Sequence, residues 1–435
     1  MPRPARLTAP SPGVRPESGR VGPLILVLGL LTAFSPLAID MYIPGFPELG
    51  TTLHASDSAV QLSMTTFLAG IVLGQLFIGP ISDSLGRRRL LLGGTGLVTV
   101  LSLVCAAAPN IETLVAARFL QGVAAAAGMV LARAVVTDRF HGPDLPRYFA
   151  LLAMILGVAP IVAPLLGSLV LSVSSWRAVF VVLAVIGAAL TATVALAVPE
   201  SLPAKRRHTG GLGGTFAAMG RLLTRRAFVG YLLTGAFMAG ALFTYISGSS
   251  FVFVRIFDTS TATYSLVFAT NAAAMLAANT LFGRLSRRHR LNTLLAVAVA
   301  VAVAGAALQG LLLLTVGATM AGTWVCLIII LAGAGMSFPA TMTLNQSLGR
   351  DNAGAAAALQ GSGQFAAGAI GAPLVGVFGS TSVTPMAVIM LVSLVCAALA
   401  LLTLARPWLG AGELRLAASQ LPAPAGSGQI AGQAG

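Results

Sequence analysis

Gly79-Pro80-Ile81-Ser82-Asp83-Ser84-Leu85-Gly86-Arg87-Arg88-Arg89-Leu90 is a short polar, basic break between two long apolar runs, 59–81 and 90–108. Each run suits a helix crossing a hydrocarbon core, which takes about 20 mostly apolar residues. The break therefore reads as a tight loop at one membrane face, turned at Gly86. Extending the same reading outward divides the chain into twelve spans: 22–43, 59–81, 90–108, 112–134, 148–172, 176–198, 227–250, 262–283, 291–316, 318–342, 355–380 and 384–406. The breaks at 172–176 and 316–318 are so short that the helices they join must form tight hairpins.

Composition agrees. Of 435 residues, 57% are apolar and 9% charged, against about 45–50% and about 25% in soluble domains. A soluble enzyme could not cover that much apolar surface, and a disordered chain would be richer in charge. The net charge is +14, and its placement explains it. All basic residues except Arg118, Arg177 and Arg255 fall on the face shared by the termini and the even-numbered loops, while Glu48, Asp57, Glu112 and Asp258 fall on the other. The positive-inside rule makes the basic face cytoplasmic, with both termini there, in the inner membrane of a cell. Nucleic acid is not needed to account for the charge. The first run continues into Asp40-Met41-Tyr42-Ile43-Pro44 without a small-residue cleavage site, so it reads as a span and not as a cleaved leader. Cys105, Cys326 and Cys396 lie singly in apolar runs, without metal or disulfide spacing. No G-x-x-x-x-G-K-[ST] loop occurs, so no cofactor is expected and the energy for any transport must come from a gradient.

The basic, Gly-rich connection 199–226 splits the spans six and six. Ala163-Pro164-Leu165-Leu166-Gly167 in span five recurs as Ala372-Pro373-Leu374-Val375-Gly376 in span eleven. The arginines after span two are answered by Arg287-Arg288-His289-Arg290 after span eight, where Arg284 aligns with Asp83. The expected domains are a tail 1–21, a bundle 22–198, a linker 199–226, a second bundle 227–406 and a disordered tail 407–435. Two six-helix bundles related by an axis along the membrane normal would rock around a central site.

Asp40 stands out because a charge within a span is costly. It either binds and releases a proton or touches substrate, or else it caps the helix end near Pro44. Arg118 lies about 9 Å into span four, and Asp40 about 6 Å into span one, from the same face. The depths allow Arg118 to pair with Asp40, directly or through water, and to modulate its protonation. The alternative is that Arg118 bonds to neighbouring helix carbonyls. Asp83 can pair with Arg87 or meet the N-terminal dipole of span eleven, forming with Gly86 a latch at the basic face. Tyr42, Gln121, Tyr245, Asn271, Gln360 and Gln364 are candidates to line a substrate cavity, since buried amides and hydroxyls need partners. Gly157, Pro160, Pro164 and Gly167 share one helix, which the prolines bend and the glycines let pack closely.

Gly79 to Arg89 resembles the loop signature G-x-x-x-D-x-x-G-R-R of the major facilitator superfamily. Asp40-Met41-Tyr42-Ile43-Pro44, Arg118-Phe119-Leu120-Gln121-Gly122, Trp176-Arg177-Ala178-Val179-Phe180 and Tyr245-Ile246-Ser247-Gly248-Ser249 narrow the likeness. So does the run Gly157 to Gly167, which looks like the fifth-span motif of drug:proton antiporters. Together these strings resemble the bicyclomycin/chloramphenicol-resistance (Bcr/CflA) group over residues 22–406. The resemblance implies an all-α membrane protein of twelve transmembrane helices in two six-helix bundles, the major facilitator fold. It implies proton-coupled efflux of small amphipathic drugs by alternating access, with an uptake symporter or facilitator, and a non-transporting sensor, as the alternatives. It adds Asp138, near Arg133, to the latch, and makes the fifth span a seal against proton leak. The implied partners are drug, protons and lipid bilayer, without nucleic acid, for a chain working as a monomer.

Overall fold

The computed structural model describes residues 18–140, 144–203, 212–379 and 382–413. Among these residues the fold is helical throughout, and twelve helices are long and apolar enough to cross a membrane. We number them α1 (Ser18–Asp40), α2 (Asp57–Leu85), α3 (Arg87–Ala106), α4 (Ile111–Arg139), α5 (Asp144–Val173), α6 (Trp176–Ala197), α7 (Arg226–Ser250), α8 (Thr261–Leu285), α9 (Leu291–Thr315), α10 (Met320–Leu348), α11 (Ala353–Phe378) and α12 (Thr384–Ala400). The twelve match the spans expected from sequence. Helices are the natural result, because a helix satisfies its own backbone hydrogen bonds where no water can.

Among the described residues, side-chain caps from the residue just before a helix occur at one membrane face, on four of the six spans that start there. Away from the arginines, side chains cap the starts of α2, α4, α8 and α10: Ser56, Asn110, Ser260 and Thr319 accept from backbone N–H groups at 2.9–3.3 Å. Such caps satisfy amides that the first turn leaves unpaired. At the basic face α3, α7, α9 and α11 start after Gly86, Arg225, Arg290 and Asn352, none of which caps through its side chain. Gly86 joins α2 to α3 at φ +97°, a backbone conformation that strains any residue with a Cβ.

Packing repeats between the halves. α2 crosses α4, α3 packs on α4 and α6, and α1 packs on α4, α5 and α6; α8, α9, α7, α10, α11 and α12 repeat each of these pairs in the same order. α2 and α4 approach until the Gly122 Cα lies against the Phe67 carbonyl, and α8 and α10 do the same at Gly335 and Met275. Small residues of this kind allow the close backbone packing on which helix association in lipid depends. α3, α6, α9 and α12 stand at the periphery and expose rows of apolar side chains, such as Val100, Val185, Leu311 and Val392, to the hydrocarbon. Between the halves the two principal seams are α2 against α11 and α5 against α8. A two-fold axis along the membrane normal exchanges them, since α2 corresponds to α8 and α11 to α5.

The connection between the halves contains a helix, Leu212–Leu223. Its Met219 and Leu222 pack on Phe228, Leu232, Ala355 and Ala356 of α7 and α11. Its Phe216 touches Phe77 of α2, ring centroids 5.5 Å apart. Lys205, Arg206 and Arg207 of the expected linker lie outside the described residues, as do most of the N-terminal tail, including Arg3, Arg6 and Arg15, and Arg415. The expectation of a disordered tail from 407 needs correction for its first residues. Residues 407–413 fold back over the basic face, where the Tyr231 hydroxyl donates to the Ala411 carbonyl at 3.0 Å and Ser347 to the Gly412 carbonyl at 2.6 Å. The Glu413 carboxylate accepts from the Asn292 backbone at 2.7 Å, capping α9. An Ala/Gly-rich composition hid these contacts, because most of them use the backbone of the segment.

A Cβ at residue 122 would collide with the Phe67 carbonyl. Gly122→Val is expected to destabilise the protein by about 1–3 kcal/mol or more, read as a lower melting temperature in detergent. Gly96→Ala on α3, where nothing lies within 4 Å of an added Cβ, is the matched control and should melt close to wild type.

Candidate functional site

Asp40 is the last residue of α1 and is only 3% exposed. Beyond it the chain turns through Ile43–Gly45, which packs against α7 and α8 of the other half. The Asp40 charge is within electrostatic range of the Tyr245 and Tyr264 hydroxyls on those two helices. Its Oδ1 makes no hydrogen bond among the described residues. The carboxyl therefore lies inside the protein, where the two halves meet, and caps no helix.

The facing surface is polar and aromatic. The Asn271 amide donates to the Tyr245 hydroxyl at 3.0 Å, and the Ser249 and Tyr264 hydroxyls are 3.0 Å apart. Tyr245 stacks on Phe268 with centroids 5.4 Å apart. Asn271 Oδ1 and the Ser265 hydroxyl are buried and lack partners among the described residues. Of the candidate cavity residues, Tyr245 and Asn271 are thus brought together opposite Asp40. Tyr264, Ser249 and Phe268 were missed. Tyr264 stands seven residues before Asn271, two helical turns away on the same face, and that spacing was the available signal.

Arg118 is fully buried and makes no direct ion pair with Asp40 among the described residues; it takes the alternative, a neighbouring helix carbonyl. It donates to the Ala38 carbonyl at 3.0 Å and to Gln121 Oε1 at 2.6 Å. Its guanidinium lies 4.0 Å from the centroid of Phe67 and 4.5 Å from that of Tyr42. The two terminal nitrogens of the fork are thus held inside the first bundle by a helix carbonyl and an amide, with two aromatic faces against the plane, while Nε is buried without a partner among the described residues. Ala38 is two residues from Asp40, so Arg118 bears on the carboxylate by fixing the end of α1. Tyr42 and Gln121 go with it: Tyr42 contacts the Ser63 hydroxyl at 3.2 Å, and Gln121 donates to Ser102 at 2.7 Å. Both are completely buried, with their hydrogen bonds inside the first bundle. Gln360 is drawn into the second bundle, hydrogen-bonded to Asn345 and, at 3.4 Å, to Thr341. Gln364 is half-buried on α11 and joins none of these groups.

The fifth-span residues Gly157, Pro160, Pro164 and Gly167 all fall on α5. Gly167 abuts the Met41 backbone, immediately after Asp40, and Gly157 abuts Leu276 of α8 across the seam. One helix therefore touches both the segment that carries Asp40 and the opposite half.

At the basic face Arg87 pairs with Asp83 at 2.7 Å and Asp138 at 3.2 Å, and also bonds to Ser82. Glu200 accepts from the Arg87 backbone at 2.9 Å, and Ser201 donates to Asp138 at 2.9 Å. The cluster joins α2, α3, α4 and the end of α6, all in the first half. Of the two partners expected for Asp83, the one seen among the described residues is Arg87, one turn along. Arg133, expected in this cluster, forms no side-chain bond among the described residues. It lies one and a half turns from Asp138 and so points away from Arg87. Charged contact between halves occurs instead at the opposite face. Arg255, after α7, bonds Asp57 at the start of α2 at 2.5 Å, and the Gly376 amide of α11 donates to Gln61 of α2 at 2.7 Å. Phe46 and Phe251 meet beside them, centroids 6.0 Å apart. These contacts bridge the two halves at that face.

Two pseudo-symmetric helical bundles meeting over a buried carboxyl define a membrane transporter of the two-bundle type. Residues 28–372 match the family model described as Major Facilitator Superfamily. The chain belongs to that superfamily and, within it, to the group of the bicyclomycin and chloramphenicol resistance proteins. It is 41% identical, over 89% of its length and 96% of the relative's, to an uncharacterised MFS-type transporter, YdgK, of Bacillus subtilis. It is 29% identical to a bicyclomycin resistance protein homologue of Haemophilus influenzae (83% of this chain, 91% of that one). With a chloramphenicol resistance protein of Pseudomonas aeruginosa it shares 32% (65% of this chain, 67% of that one). The fold is similar to that of a D-xylose–proton symporter, with a TM-score of 0.69 at 16% identity over 90% of this chain and 99% of the other.

Removing the Arg118 fork takes its donors from the buried Ala38 carbonyl and Gln121 Oε1. Arg118→Lys keeps the charge but neither the bidentate geometry nor the stacking, so it is expected to cost about 3 kcal/mol or more, close to Arg118→Ala. Thermal unfolding of the purified variants checks this. A lysine variant as stable as wild type would contradict it.

Proposed function

We propose that the protein exports small amphipathic drugs across the cytoplasmic membrane in exchange for protons, by alternating access. The observation that carries this reading is the buried Asp40 carboxyl with an unpartnered oxygen, set between the halves and not neutralised by Arg118. A lone charge in a dry interior is costly, and binding one proton removes the cost. Rocking of the halves along α2–α11 and α5–α8 changes what faces Asp40, and so couples its proton to the side on which the cavity opens.

On this reading the basic face is cytoplasmic, with both termini there. The conformation described has its outer face bridged by Asp57–Arg255 and Gln61–Gly376, as suits loading from the cytoplasm. The names of its relatives, bicyclomycin resistance protein homologue and chloramphenicol resistance protein, support drugs as the cargo. Tyr245, Asn271, Tyr264 and Phe268 offer an aromatic wall with a few polar anchors, which suits a moderately hydrophobic ligand. α5, packed against both Met41 and Leu276, keeps the path beside Asp40 sealed, which favours exchange over leak. A single chain holds all these parts, so a monomer suffices. One proton moving down a potential of 100 mV releases about 2.3 kcal/mol, enough to concentrate a neutral drug roughly fifty-fold.

Everted vesicles test the exchange. With an acid interior, wild type should accumulate drug, and added drug should discharge the pH gradient. Asp40→Asn should lose the discharge and reduce gradient-driven uptake at least about tenfold, a barrier change of about 1.4 kcal/mol. Full discharge by Asp40→Asn would remove the carboxyl from the coupling. Drug leaving acid-loaded everted vesicles together with protons would instead identify a symporter.

A further inference from the structure

The two basic loops that relate the halves differ in what surrounds their arginines. In the first, Arg87 is held by Asp83 and Asp138, and Arg88 donates to the carbonyls of Val198 and Ala195 at 2.9 and 2.6 Å. In the second, between α8 and α9, Arg284, Arg287, Arg288 and Arg290 are all exposed, and none forms an ion pair among the described residues. The carboxylate of the first loop is absent by sequence, since Arg284 stands where Asp83 would. The nearby Glu413 accepts from the Asn292 backbone, and Asp351 faces Arg225 at 3.6 Å. Four guanidinium groups thus crowd into seven residues at the end of a membrane span. A turn or two along the spans from them, Leu281 of α8 and Val297 of α9 are about half exposed, at 47% and 48%, so apolar surface lies beside the loop.

We infer that this loop is a docking site for an anionic phospholipid, whose headgroup phosphate sits among Arg284, Arg287, Arg288 and Arg290 while its acyl chains lie along Leu281 and Val297. The chemistry favours this partner. Guanidinium binds phosphate bidentately, and a basic cluster beside a span recognises anionic headgroups of the adjoining leaflet. The apolar strip beneath the charges selects a lipid over a free phosphate. The first loop, with Arg87 and Arg88 already spent on carboxylates and carbonyls and only Arg89 left exposed, does not offer the same seat. The site is separate from the drug cavity, and its occupancy does not depend on the transport reading.

The full-length protein in nanodiscs tests the site, using phosphatidylglycerol and phosphatidylcholine of equal chain length and scoring lipid retained through detergent extraction by native mass spectrometry. Wild type should retain phosphatidylglycerol about tenfold in preference to phosphatidylcholine. Arg287→Gln/Arg288→Gln/Arg290→Gln should abolish that preference, and Arg89→Gln, an exposed arginine of the first loop, should leave it intact. Arg287→Lys/Arg288→Lys/Arg290→Lys preserves charge and topology and should weaken the preference without abolishing it, which keeps the test open should the glutamine variant fail to insert. Wild type without a preference would overturn the proposal. So would a lysine variant that retains lipid as well as wild type together with a folded glutamine variant that keeps the preference. Displacement of the lipid by millimolar inorganic phosphate would overturn it too, by assigning the site to a soluble anion.

Discussion

Inside a bilayer no water compensates an unpaired polar group, so each one must find a partner within the protein or remain as a cost. Arg118 and Asp40 meet this constraint to different degrees. The arginine spends its two terminal nitrogens on Ala38 and Gln121, covers its faces with Phe67 and Tyr42, and leaves only Nε without a partner among the described residues. The aspartate keeps an oxygen without a hydrogen bond. Two charges at similar depth in one bundle thus divide into a fixed support and an open group. The support holds the helix end from which the open group projects.

The same constraint shapes the rest of the fold. Helices answer it for the backbone, and glycine and alanine answer it between helices by letting backbones meet, as at Gly122 and Phe67. Once the peripheral helices α3, α6, α9 and α12 face lipid, the remaining helices build the seams. α5 illustrates the economy of this arrangement. Gly167 sets it against the residue after Asp40, and Gly157 sets it against α8, so a movement at the seam is felt at the end of α1.

The halves share a plan but not a chemistry. Asp40 has no acidic counterpart on α7, whose corresponding end carries Ser249 and Ser250 and leads to Arg255. Arg87 sits in a cage of carboxylates, while the loop after α8 holds only cations. Gly167 and Gly376 occupy matching places in α5 and α11, yet the first backs onto α1 of its own half and the second onto Gln61 of the other. Symmetry set by packing therefore leaves room for one half to carry the ionisable group and the other to face it with aromatic and amide side chains.

Span number, the two-half plan and the sidedness of charge were legible in the sequence, because they follow from run length and composition, which act locally. Asp40 was legible for the same reason, as an acid where hydropathy forbids one. Partners were not. Depth along a helix placed Arg118 and Asp40 within reach of one another, but the direction in which each side chain points depends on the rotation of α4 and α1 about their axes, and packing sets that. For this reason Tyr42 and Gln121 found their hydrogen-bond partners in the first bundle, Arg133 stayed out of the Asp83–Arg87–Asp138 cluster, and Asp57 met Arg255 across nearly two hundred residues of chain. The sequence alone determined that this is a twelve-span membrane protein with one exceptional carboxylate. Only the tertiary structure decided what surrounds that carboxylate, since the contacts that satisfy or spare a buried polar group come from helices far apart in the chain.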